Sequence, residues 1–177
     1  MPEDGRWPPA AGSGLVIREA LSTDIDALTL IEADRFVSDR LSRRSLAALS
    51  KSRSACMLVA SRGGLPIGYA VVLTRRGGHS ARLYSIAMAR KEAGRGIGSC
   101  LLAAAEEAAV ERGARRLHLE VRADNSLAAT FYERLGYKPA GQRPGYYEDG
   151  MTALLFARHL PDRARLFGRS RRFSRAA

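Results

Sequence analysis

Cysteine is scarce in this chain, and lysine is almost as rare. Two thiols, Cys56 and Cys100, stand among 177 residues. Neither sits in a paired or metal-ligand spacing, so a disulfide framework or a zinc site has no support and no metal is expected. Three histidines, His79, His118 and His159, are scattered without partners at ligand spacing and read as structural. No apolar run approaches the roughly 20 residues that span a bilayer. The start, Met1 to Gly14, lacks the apolar core of a secretory signal. These absences point away from membranes and towards the reducing cytoplasm.

Arginine takes the place that lysine leaves. The formal charge is +11, and the last 17 residues hold six arginines against one aspartate. The folded part is basic as well. Such a surface attracts polyanions, namely nucleic acid, the ribosome or a phosphate-bearing cofactor. The arginine excess also reads as a compositional habit of the source genome. Three stretches follow: a flexible N-terminal tail at 1–13, one folded domain at 14–160, and a basic, arginine-rich tail at 161–177.

Within 14–160 the element order reads as mixed α/β without internal repeats. Leu15-Val16-Ile17 suggests a first strand. Ser22-Thr23-Asp24 offers N-cap chemistry, and Ile25, Leu28, Ile31 and Phe36 follow at roughly helical spacing. A second helix is predicted over Ser42–Leu49. Cys56–Ala60, Ile67–Thr74 and Ala81–Met88 read as strands separated by glycine turns. A long helix, Gly96 to Glu111, carries an apolar side and stops at Gly113. Leu117, Leu119 and Val121 then alternate with His118, Glu120 and Arg122 on the opposite face of a strand. Asn125 caps a helix ending at Gly136, and Tyr137–Gln142 and Met151–Arg158 close the domain as two strands. This is a three-layer α/β sandwich.

Ala93-Gly94-Arg95-Gly96-Ile97-Gly98-Ser99 lies between a strand and the long helix. Alternate glycines let a ligand approach peptide N–H groups, and a helix start favours a phosphate. Arg95 adds charge at the same place. No Gly-Lys-Ser/Thr ending marks a P-loop. The preceding strand is the fourth, and no acidic residue waits in dinucleotide-binding register.

Ser85-Ile86-Ala87-Met88, the glycine run and Leu101-Leu102 together resemble the coenzyme A signature of GCN5-related N-acetyltransferases (GNAT). That family's pyrophosphate loop follows Gln/Arg-x-x-Gly-x-Gly/Ala, which puts Ala93 where Gln or Arg is usual. Arg95 or Lys91 could replace some of the lost charge. Leu119-Glu120-Val121-Arg122, Asn125, the run Phe131 to Tyr137 and Tyr146-Tyr147-Glu148-Asp149-Gly150 resemble the subgroup that acetylates protein N-termini. Its type member is the ribosomal-protein alanine N-acetyltransferase. The resemblance covers about residues 14–160 and is densest from Ala81 onward.

The resemblance implies a mixed, mostly antiparallel sheet of six to seven strands, flanked by about four helices and splayed between the fourth and fifth strands. It implies transfer of acetyl from acetyl-CoA to an amine by direct attack in a ternary complex. An α-amine has a pKa of about 8 and a lysine amine about 10.4, so a base must remove the attacker's proton. By resemblance the base is Glu120 and the acid Tyr132. A carboxylate partly desolvated in a cleft suits the first role. A solvated glutamate paired with Arg116 or Arg122, and a core tyrosine, are the plainer readings, with Tyr137 a second candidate acid. The resemblance assigns Ile86, Ala87 and Met88 to the pantetheine arm through main-chain groups, and the Met88 N–H to the thioester carbonyl. It assigns Gly94, Arg95, Gly96, Ile97, Gly98 and Ser99 to the pyrophosphate, and Asn125 to coenzyme A as well as to capping.

Tyr146 and Tyr147 read either as an acceptor-binding wall or as part of a plain turn. The first two helices lack the Trp-Ser pair common in the ribosomal enzyme. Arg35, Arg40, Arg43 and Arg44 there favour an acidic or phosphate-bearing partner. Three functions are therefore carried forward. The acceptor is a protein or peptide N-terminus, or it is a small amine. Alternatively, the chain is a non-catalytic acyl-CoA-binding module that docks to RNA or the ribosome. Both monomer and homodimer fit the sequence.

Overall fold

Runs of β-branched and apolar residues broken by glycine turns build one twisted sheet with helices on both faces. The computed structural model describes residues 6–7, 14–36 and 39–162. Seven strands are five residues or longer: β2 (Leu15–Glu19), β3 (Ala55–Arg62), β4 (Leu65–Thr74), β5 (Ser80–Met88), β6 (Arg116–Arg122), β7 (Lys138–Arg143) and β8 (Ala153–His159). An eighth, β1 (Arg6–Trp7), pairs antiparallel with Ile17 and Arg18 of β2, inside the stretch expected to be a loose tail. The sheet order is β1-β2-β3-β4-β5-β6-β8-β7. Every pair is antiparallel except β5–β6. The segment 163–177 lies outside the described residues, so the basic-tail expectation falls there.

Four helices cover the faces: α1 (Ile25–Arg35), α2 (Arg43–Lys51), α3 (Ile97–Glu111) and α4 (Ser126–Arg134). One core lies under α3 and α4 and includes Leu83, Leu101, Leu117, Leu119, Val121 and Tyr137. The other lies under α1 and α2 and includes Leu28, Leu46, Val59, Tyr69 and Ala87. α3 packs closely because five of its nine buried residues are glycine or alanine. A Cβ on Gly68 of β4 would lie 3.2 Å from Cδ1 of Leu101 and 3.0 Å from the Ala87 carbonyl oxygen. Truncating Leu101 there to alanine costs about 2–5 kcal/mol, the usual range for a buried leucine. No helix among the described residues is long and apolar enough to cross a membrane.

The helix starts differ from the capping expectation. Ser22–Asp24 forms a 3₁₀ turn, and α1 has no side-chain cap. Asp24 instead accepts the Leu21 N–H at 2.7 Å and a bidentate pair from Arg18 at 2.7 and 2.9 Å. α2 is capped by Ser42, whose Oγ accepts the Ser45 N–H.

Two irregularities shape the cleft. β5 and β6 pair only from Ser80–Arg82 to Arg116–His118 and then part. The β5 edge from Leu83 to Met88 therefore has no strand partner on the β6 side. This is the expected splay between the fourth and fifth strands, which are β5 and β6 once β1 is counted. The second irregularity is a bulge. Val71 faces Ser85 and Val72 faces Leu83, which leaves Tyr84 unpaired. A bulge adds one residue to one strand and shifts its side-chain alternation. Leu83 accordingly points to the α3 core, while Ala87 points to the α1 core.

Candidate active site

One side of the cleft is built from backbone. Gly94 and Gly96 adopt φ of 76° and 77°, the left-handed region that glycine enters at little cost. A methyl at either position would meet no heavy atom within 4 Å, so conformation rather than space requires them. Gly98 has a different task. A Cβ there would lie 2.7 Å from Cε of Met88 and 3.5 Å from Phe131, so this glycine lets β5 and α4 approach the start of α3. Among the described residues, the N–H groups of Gly94, Arg95, Gly96, Ile97, Gly98 and Ser99 have no protein acceptor. Six successive free donors at a helix N-terminus form an anion cradle. Arg95 leans towards Glu92 at 3.6 Å, and Ala93 is exposed. The Asn125 side chain accepts the Ala128 N–H at 3.0 Å and caps α4.

The opposite side is built from charged side chains. Glu120 of β6 lies on the face away from Leu117, Leu119 and Val121, as the alternation predicts. Its side chain is 6% exposed, so it is not a solvated carboxylate. Neither Arg116 nor Arg122 holds it. Oε2 accepts Nε of Arg82 at 2.9 Å, and Oε1 lies 3.8 Å from Arg143. Arg82 also donates to the Tyr146 hydroxyl at 2.6 Å and stacks on Tyr84, 5.1 Å from the ring centre. Glu120 is thus enclosed by β5, β6 and the β7–β8 arm.

Two tyrosines on the α4 side are distinguished by their partners. The Tyr137 hydroxyl donates to Glu106 at 2.9 Å, which commits it to the core. Tyr132 is 6% exposed and makes edge contacts with the rings of Phe131 and Tyr137. Among the described residues its hydroxyl has no hydrogen-bond partner. A buried phenol left unpaired is costly, and it points to a ligand group absent from the protein alone. Burial, with the nearby Tyr147 adding to it, pushes its pKa well above the usual tyrosine range. Tyr147 itself is pushed up to about 12 by burial and by Tyr146, and it also feels Glu120. It is therefore the electrostatic neighbour common to Glu120 and Tyr132.

Arg122 joins the loops around this pocket. It pairs with Asp149 at 2.7 Å, Asp124 at 3.1 Å and Asp39 at 3.8 Å, and lies 4.9 Å from the centre of the Tyr147 ring. The Glu148 N–H adds a bond to Asp39 at 3.4 Å. Asp39 has φ of 54°, a strained value for a non-glycine residue. Beneath it, buried Glu32 of α1 accepts the Leu41 N–H at 3.1 Å and lies 3.4 Å from the Ser85 hydroxyl. Burial raises the Glu32 pKa. The α1–α2 segment is thereby tied both to β5 and to the Tyr146–Tyr147 arm.

Comparison with known proteins decides the identity. The model of the Acetyltransferase (GNAT) family matches residues 25–137. The chain belongs to this family. An uncharacterized N-acetyltransferase of Methanocaldococcus jannaschii is 32% identical over 149 residues, covering 84% of this chain and 94% of the relative. The crystal structure of Ard1 from Thermoplasma volcanium superposes with a TM-score of 0.76 at 26% identity, covering 84% and 99% of the two chains. The ribosomal-protein-S18-alanine N-acetyltransferase from Escherichia coli gives 0.72 at 27% identity, covering 82% and 94%.

This GNAT chain is an acetyl-CoA-dependent N-acetyltransferase, which sets aside the non-catalytic reading. Its residues fit the cofactor on their own chemistry. The six free donors match a pyrophosphate, the unpaired β5 edge matches an amide-bearing arm, and the unpartnered Tyr132 hydroxyl lies on the α4 side of the cleft. Sequence reasoning missed the roles of Arg82, Arg122, Arg143, Asp39 and Glu32. Only the alternation of β6 hinted at one of them, by placing Arg122 on the face of Glu120.

Proposed function

We propose that this N-acetyltransferase acetylates the N-terminal α-amine of a protein or peptide. Glu120 receives the amine proton at Oε1, directly or through a water, while Arg82 holds Oε2. Tyr132 donates from its hydroxyl towards the departing sulfur, and the main-chain N–H of Met88 polarises the carbonyl under attack. Bound acetyl-coenzyme A supplies the acetyl group as a thioester. Ile86 and Ala87 hold the pantetheine arm through main-chain groups. The N–H groups from Gly94 to Ser99 carry the pyrophosphate, with Arg95 beside them, and Asn125 adds a polar contact. Tyr146 and Tyr147 form one wall of the acceptor groove.

The observation that carries this reading is the meeting of the α1–α2 segment and the β7–β8 arm at Arg122, above Glu120. Loops from both sides of the acceptor face then hold the chain end, and the Escherichia coli relative is a ribosomal-protein-S18-alanine N-acetyltransferase. A thiol-release assay with acetyl-CoA tests the proposal against two panels, short peptides with varied first residues and a set of small amines. Turnover on peptides with a free N-terminus is expected, and acetylation of the α-amine is read by mass spectrometry. Turnover confined to small amines overturns it.

A further inference from the structure

The two ends of the sheet differ in how arginine is treated. Around the cleft and along the sides, six arginines have carboxylates: Arg18 with Asp24, Arg62 with Glu92, Arg82 with Glu120, Arg90 with Asp34, Arg122 with Asp149 and Arg158 with Glu106. The far end is built from the start of β3, the β4–β5 turn, the α3–β6 turn and the end of β8. Strand register puts these together, since Ala55 pairs with Leu73, Thr74 with Ala81, Ser80 with Arg116, and Arg116 with His159. Arg53, Arg75, Arg76, Arg112, Arg115 and Arg116 are all exposed there. Among the described residues, only Arg115 of these six has a salt bridge, to the exposed Asp162 at 4.0 Å. Glu19 and Glu111 are the other carboxylates near this end.

We propose that this end of the sheet docks the phosphate backbone of structured RNA. It is separate from the acetyl-transfer cleft. α3 runs its 15 residues from one end to the other, about 22 Å at 1.5 Å per residue. Five adjacent strand ends give a face roughly 20 Å wide at the usual strand spacing, enough to meet several phosphates. Guanidinium groups suit phosphate because they donate two parallel hydrogen bonds. The exposed large apolar side chains, Leu21, Leu30, Leu65, Tyr84 and Leu127, belong to none of the segments that build this face. A protein interface or a membrane anchor needs such side chains, whereas a backbone reader does not. No helix side or projecting two-stranded ribbon is offered for a DNA major groove, so shape and phosphate contacts, the mode used for double-stranded RNA, remain. The last described residues also end here, where the Leu160 N–H bonds the Arg115 carbonyl, and the sequence after them holds six arginines.

The test is fluorescence anisotropy with the full chain and a labelled RNA hairpin of about 20 base pairs, titrated across salt. Binding is expected with a steep salt dependence. Arg75→Glu/Arg76→Glu/Arg116→Glu should weaken it at least about tenfold and lower the salt slope by about 2. A charge-matched control, Arg35→Glu/Arg40→Glu/Arg44→Glu, should change it less than about twofold. Equal losses from both triples would mean that net charge alone binds, which overturns the proposal. So would unchanged binding of the first triple, or a DNA duplex of equal length bound as tightly. Turnover of the first triple on a free peptide should match the parent. That assay reads the N-terminal acceptor separately, so either idea can fail without the other.

Discussion

The two walls of the cleft are made of different materials. The cofactor wall runs almost continuously from Ile86 to Ser99 and works through main-chain groups, with glycine supplying conformation and close approach. The acceptor wall is a set of ion pairs and hydrogen bonds whose members come from distant places, such as the Glu148 N–H and the Asp39 carboxylate that accepts it, 109 residues apart. A backbone site tolerates exchange of most side chains but not a change of conformation. A site of charged side chains behaves in the opposite way. The proposed cofactor wall therefore suits one ligand shared by a whole family, while the proposed acceptor wall can be retuned by single substitutions.

The largest effect should come from the group proposed to move a proton. Glu120→Gln should lower kcat by about 10²- to 10⁴-fold. Calorimetry should find acetyl-CoA affinity unchanged, and a rate within threefold of the parent would remove Glu120 from its role. The walls separate next. Gly96→Ala forces a side chain into a left-handed position, at about 1–2 kcal/mol, or roughly a five- to thirtyfold loss of acetyl-CoA affinity. Its acceptor KM should stay put. Arg122→Gln should do the reverse and raise the acceptor KM about tenfold, the loss of one or two charge-assisted contacts. The KM for acetyl-CoA should not move, and Arg122→Lys should recover part of the loss. If both variants shift both constants, the walls are not independent.

The smallest catalytic effect belongs to a residue outside both walls. Asp24→Asn should cost about 1.5–3 kcal/mol of stability by weakening hydrogen bonds to a charged group, with kcat unchanged. Burial opposes the Asp24 charge, but Arg18 and the Leu21 N–H outweigh it and hold its pKa below the usual carboxylate range. A lowered folded-state pKa gives stability that is present above the unfolded value of about 4 and lost as pH falls through the folded one. The difference in Tm between parent and variant should therefore shrink on acidification below about pH 4, as thermal melts across pH would show.

Much of this was legible in the sequence because it is local. The apolar alternation of β6, the glycine run before α3 and the cap at Asn125 each lie within a few residues, and their elements appear where expected. What was hidden depends on contacts between strands. The partner of Glu120 is Arg82, on the neighbouring parallel strand, and spacing along one chain segment points only to Arg116 or Arg122. Asp24 follows the same pattern. It caps nothing in α1, because Arg18 from β2 reaches it first. The second glycine of Gly-x-Gly gave no sign that it serves packing against Met88 and Phe131.

The bulge at Tyr84 has one more consequence. It divides β5 into two stretches that obey opposite in-and-out rules, so Arg82 and Ala87 can share a face although they are five positions apart. Mutations upstream of the break change charge at the acceptor face, while mutations downstream change the seat of the acetyl donor. The two stretches are free to drift separately as long as the extra residue stays. Drawing that residue into the regular ladder would reverse the whole downstream stretch at once, turning Ser85 into the α3 core and Ile86 towards Glu32. Loss of the bulge thus acts like a frameshift in space: every residue name survives, and the site is lost.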